Sequence, residues 1–326
     1  MQTTFSAWNI NKYGGPEVLA PVTRDMPTPG DAEILIRIRA SAVSRADGMM
    51  RSGTPRFARL FLGWSRPRAG LAGTCFSGEV VAVGCNVTAF KVGDAVFGEA
   101  GLRFGANATH ICLDTDGSIV RKPDTLSFEE AAVMFDGAMT SWHFLTRVAK
   151  VKPGEKVLIL GGSGSLGTAA IQFALALGAD VTATSSARNG ELLESLGAHR
   201  VVDYAIEDVL PEGADYDVIF DTLGVATFSA AKKALAQNGR YVCPVLGLAL
   251  LRGILLSRLG RGKRAFFAAA GMEPPESHRE QLAEILHLVE ENRFAPVMDR
   301  SYPFEDLIEA HLYVETGRKR GNVVVV

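Results

Sequence analysis

Cysteine is scarce in this chain: Cys75, Cys85, Cys112 and Cys243 are the only four in 326 residues. Their adjacent separations of 10, 27 and 131 residues include no C-x-x-C pair. That excludes a tetracysteine zinc site and a disulfide framework. An excess of one charge is missing too, since 36 acidic and 34 basic residues leave a net charge of −2. Dedicated nucleic-acid binders carry a strongly basic domain, so a nucleic-acid partner is not expected. Nor is there a long apolar run. The most apolar stretch, YVCPVLGLALLRGILL at 241–256, contains Pro244 and Arg252 and falls short of the roughly 20 apolar residues a bilayer crossing needs. The opening MQTTFSAWNINKYGG lacks a basic segment followed by an apolar one. We therefore expect no signal peptide, no stable membrane insertion and a cytoplasmic location. Repeats and low-complexity tracts are absent.

What is present suits an enzyme of two domains. Apolar residues make up 47% of the chain, enough to bury large cores, and its length is that of two domains at roughly 100–200 residues each. The 34 glycines exceed the usual ~7% without a triplet period, and so mark turns and close backbone approaches.

Residues 1–120 read as β. EILIRIRASAV (33–43) sets Ile34, Ile36 and Ile38 against Leu35, Arg37 and Arg39, a period-two strand with one wet face. GEVVAVG (78–84), VGDAVFG (92–98) and THICL (109–113) follow, with a short helix at about 44–50; such spacing fits a barrel or sandwich. Ser127 and Glu130 then form a capping-box pattern. From Lys156 onward strands and helices alternate: VLIL (157–160), VTAT (181–184), RVV (200–202), YDVIF (216–220), RYVCP (240–244) and AFFAA (265–269). Helices at 168–177 and 189–196 end on Gly178 and Gly197 as C′ caps. The expected fold class is α/β, a doubly wound parallel sheet joined to a β-rich domain. A later helix carries Leu282, Ile285, Leu286 and Val289 on one face. The closing strand–helix–strand segment is expected to return to the first domain.

Gly161-Gly162-Ser163-Gly164-Ser165-Leu166-Gly167 lies directly after VLIL and opens a helix. Glycine lets the backbone turn sharply and approach a pyrophosphate, and the helix start offers N–H groups and the positive dipole end. Rival motifs fail on the same residues: Thr168 stands where a Walker A lysine is required, and GGSGS is not G-x-S-x-G. An NAD site usually places Asp or Glu about 20 residues on. Here VTATSSARNG (181–190) has no acid. Ser185, Ser186 and Arg188 are the candidates for a 2′-phosphate, so NADP(H) is the expected cofactor.

On these motifs, together with YGGPEVL (13–19), PTPGDAEILIRIRASAV (27–43), FSGEVVAVGCNVTAFKVGDAVFG (76–98), LGAHRVVDY (196–204) and the terminal GNVVVV, the chain resembles the medium-chain dehydrogenase/reductase superfamily, and within it the zinc-independent quinone oxidoreductase-like branch. The resemblance implies a GroES-like catalytic domain at 1–123 and 275–326, a Rossmann domain at 124–274, and NADPH in the cleft. It implies that Ser163, Gly164, Ser165, Leu166 and Gly167 line the pyrophosphate, and that Ser186 and Tyr204 meet the adenosine end. Asp221, Gly224, Leu246 and Gly247 would then lie toward the nicotinamide, with Thr140 at the domain junction. Zinc-dependent relatives have a Cys ligand followed by Thr/Ser-Asp, and later Gly-His-Glu. This chain has Ser44-Arg45-Ala46-Asp47 and Gly73-Thr74-Cys75, so no catalytic zinc is expected. Ser44 also replaces the Asn usual in quinone reductases.

Without a Lewis acid, conjugated acceptors suit such a site better than simple alcohols. The expected activity is NADPH-dependent hydride transfer to a small-molecule quinone or α,β-unsaturated carbonyl, with Ser44 and Asp47 as catalytic candidates: Ser44 as oxyanion donor or helix cap, Asp47 as hydrogen-bonder. Two alternatives stay open, an NADPH-binding structural or sensor protein and a metal-free aldehyde or ketone reductase. RSGTPRFARLFLGWSRPR (51–68) carries five arginines among Phe57, Phe61 and Trp64; it reads as a loop bordering the substrate cleft, or as a nucleic-acid or membrane patch. Residues 246–259 read as a lid or a subunit contact, the latter in a homodimer.

Overall fold

The structure, a computed structural model, describes residues 3–68, 70–260 and 262–326. It divides into two compact units. The first comprises Met1–Asp136, Pro274–Arg279 and Met298–Val326, the second Gly137–Glu273 and Glu280–Val297.

The first unit is built on Glu33–Ala42, the central strand of a seven-stranded sheet. It pairs antiparallel with Cys75–Val83, His110–Asp114 and Asn322–Val325. Ile34 and Ile36 are fully buried, while Arg37 and Arg39 face water and share Glu79 at 2.5 and 2.9 Å. This is the alternation expected of a half-buried strand. The last strand carries the C-terminus onto the N-terminal core: Val323 and Val325 pack with Trp8, Ile10 and Leu19 of the hairpin Thr4–Ile10 and Leu19–Asp25, and with Leu307 and Val314 of helix Leu307–Glu315.

The second unit contains a six-stranded, wholly parallel sheet. In chain order its strands are Lys156–Leu160, Asp180–Ser185, Arg200–Asp203, Tyr216–Asp221, Leu235–Val242 and Arg264–Phe266. In space they run third, second, first, fourth, fifth, sixth. Val157, Leu158, Ile159, Val218, Ile219 and Phe220 are all at 0% exposure, because helices cover both faces of such a sheet. The order reverses between the first and fourth strands, where open α/β sheets take ligands at the strands' carboxyl ends.

The first crossover helix runs Ser165–Ala176, three residues earlier than its apolar stripe predicts, because Gly164 and not a later residue is the N-cap. Gly178 and Gly197 end their helices at φ of +79° and +94°, as expected of C′ glycines. Residues 248–259, expected as a lid or contact segment, form a helix, Leu248–Leu259. A boundary is expected at 275. Helix Pro275–Glu290 begins with the first unit, but its later turns bond the second: Gln281 Oε1 meets His143 Nδ1 at 3.2 Å, and Glu284 accepts from Trp142 Nε1 at 2.6 Å. Among the described residues, no helix is long and apolar enough to cross a membrane.

Candidate functional site

The glycine loop of the second unit is braced from three sides. Gly161, at φ +78°, donates its N–H to Thr184 Oγ1 at 3.1 Å, and Gly162 donates to Thr184 O at 2.8 Å. Asn189 Nδ2 donates to Ser163 Oγ at 3.1 Å, and Thr222 Oγ1 to Leu160 O at 2.7 Å. The glycines have different reasons to be glycine. A Cβ on Gly167 would sit 2.2 Å from Gly161 O, so here the helix and loop backbones must touch. A Cβ on Gly164 would meet nothing nearer than Gly161 O at 3.8 Å. Packing within the protein does not require glycine at 164; an approaching ligand would. Gly164 is also the N-cap of a twelve-residue helix that no side chain caps, which leaves the dipole end to an anion. The loop thus fits a pyrophosphate.

Thr140 lies half-buried in the helical turn Met139–His143. Its neighbour Ser141 donates to Leu166 O at 2.8 Å, and a Cβ on Gly137 would fall 2.6 Å from Ser165 O. This turn therefore seats the start of the loop's helix. The second strand ends at Ser185, which is buried, with Oγ donating to Ser186 O at 3.0 Å. Of the three 2′-phosphate candidates, Ser185 is thus committed internally. Ser186 is half-buried and makes no side-chain cap, and Arg188 is exposed. Tyr204, at 61% exposure, is tied beside them by its N–H to Ser185 O at 3.2 Å.

The Asp221 carboxylate is engaged by its own turn and by Tyr241. It is fully buried. Oδ1 accepts from the N–H groups of Leu223, Gly224 and Val225 at 2.8–3.2 Å, and Oδ2 from Ala226 N and Tyr241 Oη at 2.8 Å each. All its acceptor capacity is spent, so it shapes the turn that holds Gly224 (φ +71°) and leaves nothing for a ligand. Burial and the Asp221 carboxylate push the Tyr241 hydroxyl far up. Leu246 lines a pocket of about 370 Å³ with Leu251, Ile254, Arg258, Phe266 and Phe267. Gly247 is the N-cap of helix Leu248–Leu259, in open space.

In the first unit, Ser44 is the N-cap of helix Arg45–Ser52 in a full capping box. Its Oγ accepts from Asp47 N at 3.1 Å and donates to Asp47 Oδ2 at 2.7 Å, while its N–H reaches Asp47 Oδ2 at 2.9 Å. A hydroxyl has one proton, and this one is taken. Of the two roles expected for Ser44, this geometry is that of the cap. Thr74 Oγ1 adds a bond to Asp47 Oδ1 at 3.3 Å. Burial raises Asp47 to about 6 against the pull of those hydrogen bonds, with Asp136 adding to the rise. Glu99 is raised to about 7 by burial and by Asp47 and Asp136. Lys319 is lowered by burial, against the attraction of Asp136, Asp299 and Asp47. Glu99, Asp136 and Lys319 had no signal in the sequence, since they come from separate segments with no shared spacing. Among the described residues, no three His, Cys, Asp or Glu side chains converge as metal ligands. Ser44 and Thr74 are both bonded to Asp47.

Fold and site together define a dinucleotide-binding α/β protein with a β-rich partner unit. Residues 30–141 match the family model described as alcohol dehydrogenase GroES-like domain, and residues 196–325 the one described as zinc-binding dehydrogenase. The chain is 32% identical to the mitochondrial NAD(P)H oxidoreductase RTN4IP1 of Mus musculus, covering 99% of this chain and 89% of that one. It is 30% identical to the 2-methylene-furan-3-one reductase of Solanum lycopersicum, over 98% and 78%. Among solved structures, the quinone oxidoreductase of Coxiella burnetii superposes with a TM-score of 0.88 at 30% identity, covering 99% of both chains. The Escherichia coli quinone oxidoreductase complexed with NADPH gives 0.86 at 25%, over 98% and 99%. The chain belongs to the medium-chain dehydrogenase/reductase superfamily, in its quinone oxidoreductase-like branch. By that membership it is an NAD(P)H-dependent oxidoreductase.

Proposed function

We propose that this chain is an NADPH-dependent, zinc-independent reductase of quinones or α,β-unsaturated carbonyls. The observation that carries the proposal is the uncapped helix start at Gly164, a glycine for which internal packing gives no reason. The names of the relatives from Solanum lycopersicum and Coxiella burnetii support the acceptor class.

The loop 161–167 would hold the pyrophosphate through backbone N–H groups. Ser186, Arg188 and Tyr204 would hold the adenosine end, where the lack of a carboxylate at 181–190 favours a 2′-phosphate. Thr140 and the turn fixed by Asp221 would orient the nicotinamide half. When bound, the cofactor supplies hydride to an acceptor that spreads the resulting charge to a distant oxygen, and solvent supplies the proton. The Asp47 network would hold the Arg45–Ser52 helix start in place. Zinc independence rests on the donor set at Ser44 and Thr74.

None of the four cysteines is in a disulfide, which suits a reducing compartment, and we assign the cytoplasm. We also assign a homodimer. The strand Arg264–Phe266 ends its sheet, and Leu248, Leu251, Leu255 and Leu256 beside it are 47–87% exposed, an apolar edge that a second copy would cover. Light scattering should give the dimer mass.

The deciding experiment follows NADPH absorbance against a panel of quinones, enones and aldehydes, repeated with NADH and with a chelator. Turnover of quinones or enones that prefers NADPH and ignores the chelator is expected. Loss on chelation would overturn the metal-free site, and NADH preference the assignment of Ser186 and Arg188. Tight NADPH binding without turnover would make the chain a binding protein.

A further inference from the structure

The segment at 51–68, for which a substrate-cleft loop and a membrane patch are both expected, carries an exposed apolar surface. Residues 56–64 present four large apolar side chains to water: Phe57 at 47% exposure, Leu60 at 61%, Phe61 at 58% and Trp64 at 75%. The backbone beneath them is pinned. Leu62 is buried, Arg59 stacks over Tyr13 at 4.4 Å and donates to Gly53 O at 3.1 Å, and Tyr13 Oη donates to Gly63 O at 2.5 Å. A segment held at this many points keeps its apolar groups outward as a platform.

The charge along the segment has one sign. Arg56, Arg66 and Arg68 are exposed beside it, and the sequence has no acidic residue between Asp47 and Glu79. Exposed aromatic and aliphatic groups interleaved with arginine suit the boundary between headgroups and acyl chains, where the rings enter and the guanidinium groups meet lipid phosphates. An acidic protein partner would also answer the charge. However, the apolar side chains stand on short helical turns, and a fluid acyl boundary accepts such a surface without shape complementarity.

We propose that residues 56–68 dock the protein reversibly on an anionic phospholipid bilayer. The inference is independent of the acceptor's identity. Its test is co-sedimentation of the full chain with vesicles of phosphatidylcholine alone and of phosphatidylcholine mixed with phosphatidylglycerol, at low and high salt. Binding is expected to the mixed vesicles only, and to be released by salt. Phe61→Ser with Trp64→Ser should lower partitioning at least tenfold, and Arg66→Glu with Arg68→Glu should do the same, because each arginine near an anionic surface counts for about fivefold. The two double variants alter different exposed groups, so misfolding of one, seen as a lowered melting temperature, leaves the other to decide. Three results would each overturn the proposal: no binding to mixed vesicles, equal binding to both vesicle types, or partitioning unchanged in a folded variant. Failure to bind vesicles alongside a raised KM for a soluble quinone in the apolar variant would mark the segment as a substrate loop instead.

Discussion

At the scale of single residues, the glycine loop separates ligand contact from packing. Gly164 has backbone angles of −80° and 175° and open space around it. Gly164→Ala meets no clash and should cost only what alanine costs against glycine at an N-cap, about 0.5–1 kcal/mol. The added methyl group would occupy the ground of a bound pyrophosphate, so the NADPH Kd should rise at least tenfold. Gly167→Ala drives a methyl carbon into Gly161 O at 2.2 Å and should cost about 2 kcal/mol or more of stability. Urea unfolding and fluorescence titration on the two variants check both. Equal NADPH affinity in Gly164→Ala and the unaltered protein would remove the ligand reading of that glycine. The loop was legible in the sequence because its constraint is on the backbone, and spacing after a buried strand reports it directly. Ser44 was legible only as a pair of alternatives, since hydroxyl cap and hydroxyl donor look alike until the direction of the single proton is known.

At the scale of elements, turns are where sequence and structure part. The central strands Lys156–Leu160 and Tyr216–Asp221 show as short apolar runs, because burial on both faces imposes that composition. The turn after the fourth strand does not show, because an Asp at a strand end reads equally as a ligand contact and as a turn acceptor. Only the folded backbone brings four N–H groups and Tyr241 Oη to Asp221. In Asp221→Asn, an NH₂ replaces one acceptor and faces a buried N–H or hydroxyl. The expected cost is about 2–3 kcal/mol, with weakened NADPH binding as the 222–226 turn loosens against Gly161. Thermal melting with and without NADPH measures both, and a variant as stable as the parent would mean that the turn holds itself.

At the scale of the whole molecule, opposing buried titrations set the response to pH. The sequence could not reveal them, because each pairs groups from distant segments. His311 is buried at 2% exposure, with Nε2 unpartnered, and is lowered to about 3 by burial and by Arg51. Between pH 6.5 and 3 the unfolded chain takes up a proton that the folded chain refuses, so this stability is present above 6.5 and lost as pH falls, by about 2 kcal/mol at pH 5. Glu99 and Asp47 run the other way. Raised to about 7 and about 6, they keep protons when folded that the unfolded chain has released, so their stabilisation is present below the ordinary carboxylate range and lost as pH rises through 6 to 7. The two slopes oppose each other between pH 4.5 and 6.5 and leave a broad maximum. Replacing either side should tilt it. Glu99→Gln keeps the shape of the protonated acid, and should be more stable than the parent at pH 8, on the order of 1–3 kcal/mol, and equal to it at pH 4. His311→Gln cannot take up a proton and should lose less stability than the parent between pH 6.5 and 5. Urea unfolding at pH 4, 5, 6.5 and 8 reads all of these differences. A Glu99→Gln curve parallel to the parent's from pH 4 to 8 would show that this carboxyl titrates in its ordinary range and that the acid cluster does not shape stability.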